Sequence, residues 1–224
     1  MVEMLWPQVE VKERAEDPAA KPYVRSYVFM RFAIGVLGLA LPPLLVFFEP
    51  ILFDGQPFPR GSLSAYYYSG VRELFVGLLC AIGVFLVIYK IAERTREGRV
   101  STYAGIAVII VALFPTGRPG AKVPATPLQD LVGANTVETI HFIAAGAFIL
   151  LLALSGYYFG KYHAERRAFH YGCAAVIVLA FALAAFAGFT GDPDKGILVA
   201  EWAAVWAFGA SWLATVERHL IFGR

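Results

Sequence analysis

The chain has 224 residues, of which 58% are apolar and only 16% carry charge, and its mean hydropathy is +0.63. A soluble domain carries about 25% charged residues, so this inventory cannot clothe a water-exposed surface. The net charge of +2, dispersed among connecting segments, gives no footing for a nucleic-acid partner and leaves an all-α, polytopic membrane protein.

Residues 1–26 are rich in charge, including Glu3, Glu10, Lys12, Arg14, Lys21 and Arg25, with no short apolar stretch before a small-residue cleavage site. They are expected to form a cytoplasmic amino-terminal segment, not a cleaved signal. Six apolar segments follow at about 27–49, 70–90, 101–116, 136–159, 168–190 and 196–217, and residues 218–224 form a tail. About 20 residues at ~1.5 Å each span a hydrocarbon core of about 30 Å, so residues 27–217 predict one transmembrane domain of six helices.

The first span carries Pro42-Pro43, which predicts a kink and frees backbone carbonyls that need partners in lipid. Asp54-Gly55, Pro57, Pro59 and Gly61 mark a loop, followed by Ser62-Leu63-Ser64-Ala65-Tyr66-Tyr67-Tyr68-Ser69. The third span has an apolar run over 103–114 only, roughly 18 Å long. Either its polar start at Ser101 and Thr102 lies in the headgroups, or its far end stops inside a protein-lined depression. Beyond it, Thr126 as N-cap and Pro127 at the first position predict a short interfacial helix over 128–132.

Ala180, Ala184 and Gly188, and likewise Ala203, Ala207 and Ser211, recur every four residues as packing ridges that leave room for oligomerisation. Trp202, Trp206 and Trp212 fit interfacial anchors or pocket walls equally well. Cys80 and Cys173 sit inside spans, so no disulfide framework is expected.

Fourteen basic residues, among them Lys90, Arg94, Arg96, Arg99, Lys161, Arg166 and Arg167, fall on one side of these spans. Only five, Arg60, Arg72, Arg118, Lys122 and Lys195, fall on the other. Positive charge marks the cytoplasmic side, so both termini are expected there.

Charge inside a span costs about 2.5–3.5 kcal/mol per residue on insertion scales, so its placement is informative. Arg72 and Glu73, Glu138 and His141, and Glu201 open the second, fourth and sixth spans and share the outward face. Arg31, near a cytoplasmic end, reads as a snorkelling anchor. Glu138 and His141 lie on one helix face, and Arg72 is the natural partner for Glu73, Glu138 or Glu201. The group is either an interhelical salt-bridge network or a site.

No metal or other cofactor is expected. A di-iron site needs a second Glu-x-x-His, which the chain lacks, and His163, His170 and His219 lie at the cytoplasmic side. Acyl transfer would require a serine beside His141; Ser62, Ser64 and Ser69 are available, but no nucleophile elbow surrounds them.

The expected function is an outward-facing site for a small anionic ligand or lipid headgroup. Arg72 supplies the charge, Tyr66, Tyr67 and Tyr68 a platform, and Ser64, Glu73, His141 and Glu201 the polar lining. The alternatives are a proton-coupled transporter using His141 and Glu201, and a non-catalytic membrane subunit or partner-binding module. No catalytic residue is assigned.

The stretch Ser62-Leu63-Ser64-Ala65-Tyr66-Tyr67-Tyr68, then Arg72-Glu73-Leu74-Phe75-Val76-Gly77 and Cys80-Ala81-Ile82-Gly83-Val84-Phe85-Leu86, resembles a family of uncharacterised bacterial membrane proteins. Their pattern is similar to S-I-S-A-Y-Y, R-D-x-F-V-G and C-A-I-G-V-F-L, with Glu73 here in place of Asp. Ala112-Leu113-Phe114-Pro115-Thr116, His141-Phe142 and the run 207–213 match further. The resemblance implies six spans in a bacterial inner membrane and brings no activity with it.

Overall fold

Two prolines lie within the first apolar run and Pro50 just beyond it, yet the stretch folds as one helix, α1 (Lys21–Leu52). Pro43 has no N–H to return to the Leu39 carbonyl four residues back. The Trp206 indole N–H takes that role, donating to Leu39 O at 2.9 Å. The carbonyl freed by proline is thus satisfied from a neighbouring helix, as burial in an apolar medium demands.

The computed structural model describes residues 18–19, 21–52, 59–88, 95–120, 122–190 and 196–216. The amino-terminal segment up to residue 17, the turn at Asp54-Gly55, the residues 89–94 of the charged link, and the tail from 217 lie outside the described residues. All regular structure among the described residues is helical. After α1 come a 3₁₀ turn (Ser64–Tyr68), α2 (Arg72–Ile88), α3 (Arg96–Leu113), α4 (Pro127–Val132) and α5 (Ala134–Tyr162). A second 3₁₀ turn (Ala164–Arg166), α6 (Arg167–Thr190) and α7 (Gly196–Leu213) complete the order. Four helices, α1, α5, α6 and α7, are long and apolar enough to cross a membrane.

Local sequence explains the boundaries. Thr95 caps α3, its Oγ1 accepting from Gly98 N–H at 3.0 Å, so the helix starts well before its apolar run. That polar start is packed inside the protein, where the Ser101 hydroxyl donates to the Leu86 carbonyl of α2 at 2.7 Å. The short helix α4 carries a reciprocal capping box between Thr126 and Gln129, with Pro127 at its first turn. It ends at Gly133, whose φ of 91° suits glycine and lets α5 leave in a new direction.

The six long helices close a ring in the order α1, α2, α3, α5, α6, α7 and back to α1, with α4 lying on α5. Two seams are set by glycine. A Cβ on Gly105 of α3 would stand 2.5 Å from the Gly83 carbonyl of α2. A Cβ on Gly209 of α7 would stand 2.9 Å from the Gly35 carbonyl of α1. Close backbone approach through small residues occurs at these pairs, and from the expected small-residue stripes Ala180 and Ser211 are buried as well. Gly188, at the end of the alanine stripe of α6, meets nothing within 4 Å.

Candidate functional site

The segment from Arg60 to Tyr68 folds across one end of the ring, where α1, α3 and α6 finish and α2, α5 and α7 begin. Its first anchor is charge. Arg60 Nε and a terminal nitrogen reach the Glu49 carboxylate of α1 at 2.5–3.1 Å. Both side chains are buried, at 6% and 1% exposure. The next anchors tie the segment to α7: Gly61 O accepts from Leu198 N–H at 2.9 Å, and Leu63 N–H donates to Glu201 Oε2 at 2.6 Å. Backbone buried in a loop has no ladder to satisfy it, and here helix ends and a carboxylate do so.

The tyrosines point three ways. Tyr66 is fully buried, with the Arg60 guanidinium 5.9 Å from its ring centroid. Burial pushes its phenol above the ordinary 10.0, with Glu49 adding to the rise and the Arg60 backbone and charge opposing it. Tyr67 accepts from Arg72 at 2.6 Å, and that guanidinium lies 4.3 Å from its ring. Tyr68 donates to the Thr116 carbonyl and accepts from Gln129 Nε2, both at 2.9 Å, pinning α4 and the 114–120 stretch. Burial pushes its phenol up as well, against the Gln129 hydrogen bond. The three rings staple the segment to its surroundings; with Tyr66 and Tyr67 buried, they do not form an exposed platform.

At the centre stands His141, 1% exposed on α5. Its Nδ1 lies 2.6 Å from the Phe114 carbonyl, just past the end of α3. A carbonyl only accepts, so Nδ1 carries the proton. In the neutral ring Nε2 is then an acceptor, and the Ser64 hydroxyl sits 3.0 Å from it. Helix α3 therefore stops inside the protein, and a histidine takes the carbonyl of the residue that caps it.

Ser64 and Glu201 are the polar residues on the wall of a cavity of about 60 Å³ inside the ring. The rest of the wall is apolar, with Phe75 and Leu79 from α2, Ile149 from α5 and Val205 from α7. Glu201 spends one oxygen on Leu63 N–H; the other takes no hydrogen bond from the described residues. His141 and Glu201 are not bonded to each other but to the consecutive residues Ser64 and Leu63.

Of the residues expected at the site, Ser64, His141 and Glu201 converge through this segment. Arg72 and Glu73 are exposed at the start of α2, and among the described residues no carboxylate pairs with Arg72. Glu138 is half-buried beside Gly117, where an added Cβ would lie 2.5 Å from its Oε1. Sequence reasoning missed Glu49 and Arg60; the available signal was a carboxylate ending an apolar run with one cation in the next loop. At the opposite end His170 is fully buried, its Nδ1 2.9 Å from Ser211 Oγ and its ring 5.5 Å from that of His163. Among the described residues no three His, Cys, Asp or Glu side chains gather as metal donors.

Comparison with family models, with curated proteins and with solved structures returns no match.

Proposed function

We propose that all six long helices cross a bacterial inner membrane, with both termini cytoplasmic, and that the Arg60–Tyr68 end faces outward as a binding site for a small anionic amphiphile. α2 and α3, at 17 and 18 residues, measure about 26–27 Å, close to the ~30 Å of a hydrocarbon core. The fourteen-to-five distribution of basic residues supports this orientation.

The observation that carries the reading is the cavity with its two polar residues, walled by the face of α2 that begins with the exposed Arg72. Arg72, Phe75 and Leu79 fall three and seven residues apart on one face of α2. Phe75 and Leu79 wall the cavity, and Arg72 comes about one turn before Phe75 on the same face of α2, its guanidinium on Tyr67 and without a carboxylate partner among the described residues. A short apolar group enters the cavity while its anionic head meets Arg72. The anion is a free small molecule or a lipid headgroup; both present the same chemistry.

Thermal melting in nanodiscs tests this. Dibutyryl phosphatidic acid raises the melting temperature of the parent, and it leaves the melting temperature of Arg72→Gln, which starts lower for want of the Tyr67 hydrogen bond and ring contact, unchanged. A matching rise with butyl phosphate assigns the site to free anions, and a rise with the lipid alone assigns it to headgroups. No rise with either compound overturns the proposal. Proton-coupled transport through His141 and Glu201 is the weaker reading, since both ring nitrogens of His141 are already engaged.

A further inference from the structure

The geometry points to Ser64 as a nucleophile and His141 as its general base, making the cavity an esterase site for short acyl groups. The inference deepens the binding proposal and rests on it.

Three observations lead here. A serine is a weak nucleophile until a base within hydrogen-bond reach, about 2.6–3.2 Å, can take its proton, with that base held by a third group. Ser64 Oγ lies 3.0 Å from His141 Nε2, and the Phe114 carbonyl, 2.6 Å from Nδ1, fixes the tautomer that leaves Nε2 free to accept. Second, Ser64 borders open space: it is on the cavity wall, while His141 behind it is 1% exposed and shielded from bulk water. Third, the residue before the nucleophile is clamped, since Glu201 holds Leu63 N–H at 2.6 Å and Gly61 O is held by Leu198 N–H at 2.9 Å. Glu201 is thus a positioning residue. A serine that served only to close a 3₁₀ turn would need neither the histidine nor the cavity.

The cavity selects the substrate. About 60 Å³ holds a few heavy atoms, since one water needs roughly 10–15 Å³ on the same measure. An acetyl or butyryl group fits this volume; an octanoyl chain exceeds it, with Ile149 among the side chains that would have to give way. The substrate is a short-chain ester whose alcohol part stays at the outer face.

The steps balance without an oxidant or a metal. Ser64 Oγ attacks the ester carbonyl carbon, and its proton passes to His141 Nε2. As the tetrahedral adduct collapses, the ester C–O bond breaks and the departing alkoxide takes the proton from Nε2, leaving as the alcohol. Water then adds to the acyl-Ser64 carbonyl, giving its proton to Nε2. The Oγ–C bond breaks, Ser64 regains the proton, and the carboxylic acid leaves.

The test uses the full chain in nanodiscs with an ethoxy fluorophosphonate probe and p-nitrophenyl esters. The probe labels the parent and not Ser64→Ala. The parent hydrolyses p-nitrophenyl acetate faster than the octanoate, and both Ser64→Ala and His141→Gln lose about 10²–10⁴-fold. Ile149→Ala shifts the preference toward longer chains. If Ser64→Ala fails to fold, Ser64→Cys keeps the size of the side chain. Its alkylation by iodoacetamide then slows about tenfold or more when His141→Gln is added, because the base generates the thiolate. An unlabelled parent, or equal alkylation with and without His141, overturns the nucleophile while leaving the melting shift by dibutyryl phosphatidic acid intact. Loss of that shift in the parent overturns the binding proposal beneath it.

Discussion

Replacing Arg60 by methionine keeps most of the aliphatic stem and deletes the charge that Glu49 faces. In the parent the carboxylate receives Arg60 nitrogens at 2.5, 2.8 and 3.1 Å and is only 1% exposed, so no water stands in when they go. Breaking a buried pair from one side costs about 3–5 kcal/mol. Protonation of the stranded carboxylate relieves part of that and favours the lower figure. At about 2–4 °C per kcal/mol for a chain of this size, Arg60→Met melts roughly 6–20 °C below the parent in nanodiscs. Adding Glu49→Leu removes the stranded group, and because apolar replacement of both partners is commonly neutral or better, the double variant recovers most of the loss. Two results would refute the reasoning: a single variant melting within about 2 °C of the parent, or a double variant no more stable than the single.

Trp206→Phe leaves the Leu39 carbonyl without its donor and lowers stability by about 1–3 kcal/mol, read by thermal melting. Gly105→Val forces α2 and α3 apart and abolishes the folded peak in size exclusion, whereas Gly120→Ala, with nothing within 4 Å, elutes as the parent does. Thr126→Ala removes the capping box of α4 and costs about 0.5–2 kcal/mol without changing the rest of the ring. With the native cysteines replaced, Lys122→Cys reacts with an impermeant thiol reagent from outside intact cells and Arg99→Cys does not; the reverse pattern inverts the topology.

Apolar run length made the helices legible, because in this chain nearly every long apolar stretch is a helix of similar extent. The limits shifted where hydrogen bonding outlasted hydrophobicity. α1 extends to Lys21 and Leu52 beyond the apolar run at 27–49, and α3 reaches back to Arg96 because Thr95 caps it. That Pro43 frees a carbonyl followed from covalent chemistry; that Trp206 would meet it depended on how α1 and α7 pack. The site was legible as residue types and illegible as pairs. Ser64 and His141 are 77 positions apart, and only closure of the ring brings them within 3.0 Å. Arg72 was the obvious partner for buried carboxylates, yet Glu49 is met by Arg60 and Glu201 by a backbone N–H. A backbone donor has no side-chain signature, which is why the role of Leu63 could not be read from the sequence.

The most direct test of an outward-facing ligand cavity is the reactivity of Ser64→Cys with Cys80 and Cys173 replaced by alanine. In right-side-out vesicles a small charged methanethiosulfonate added outside modifies it, and dibutyryl phosphatidic acid slows that modification several-fold by occupying the cavity. Modification only in inverted vesicles, or a rate unchanged at saturating lipid, contradicts the account.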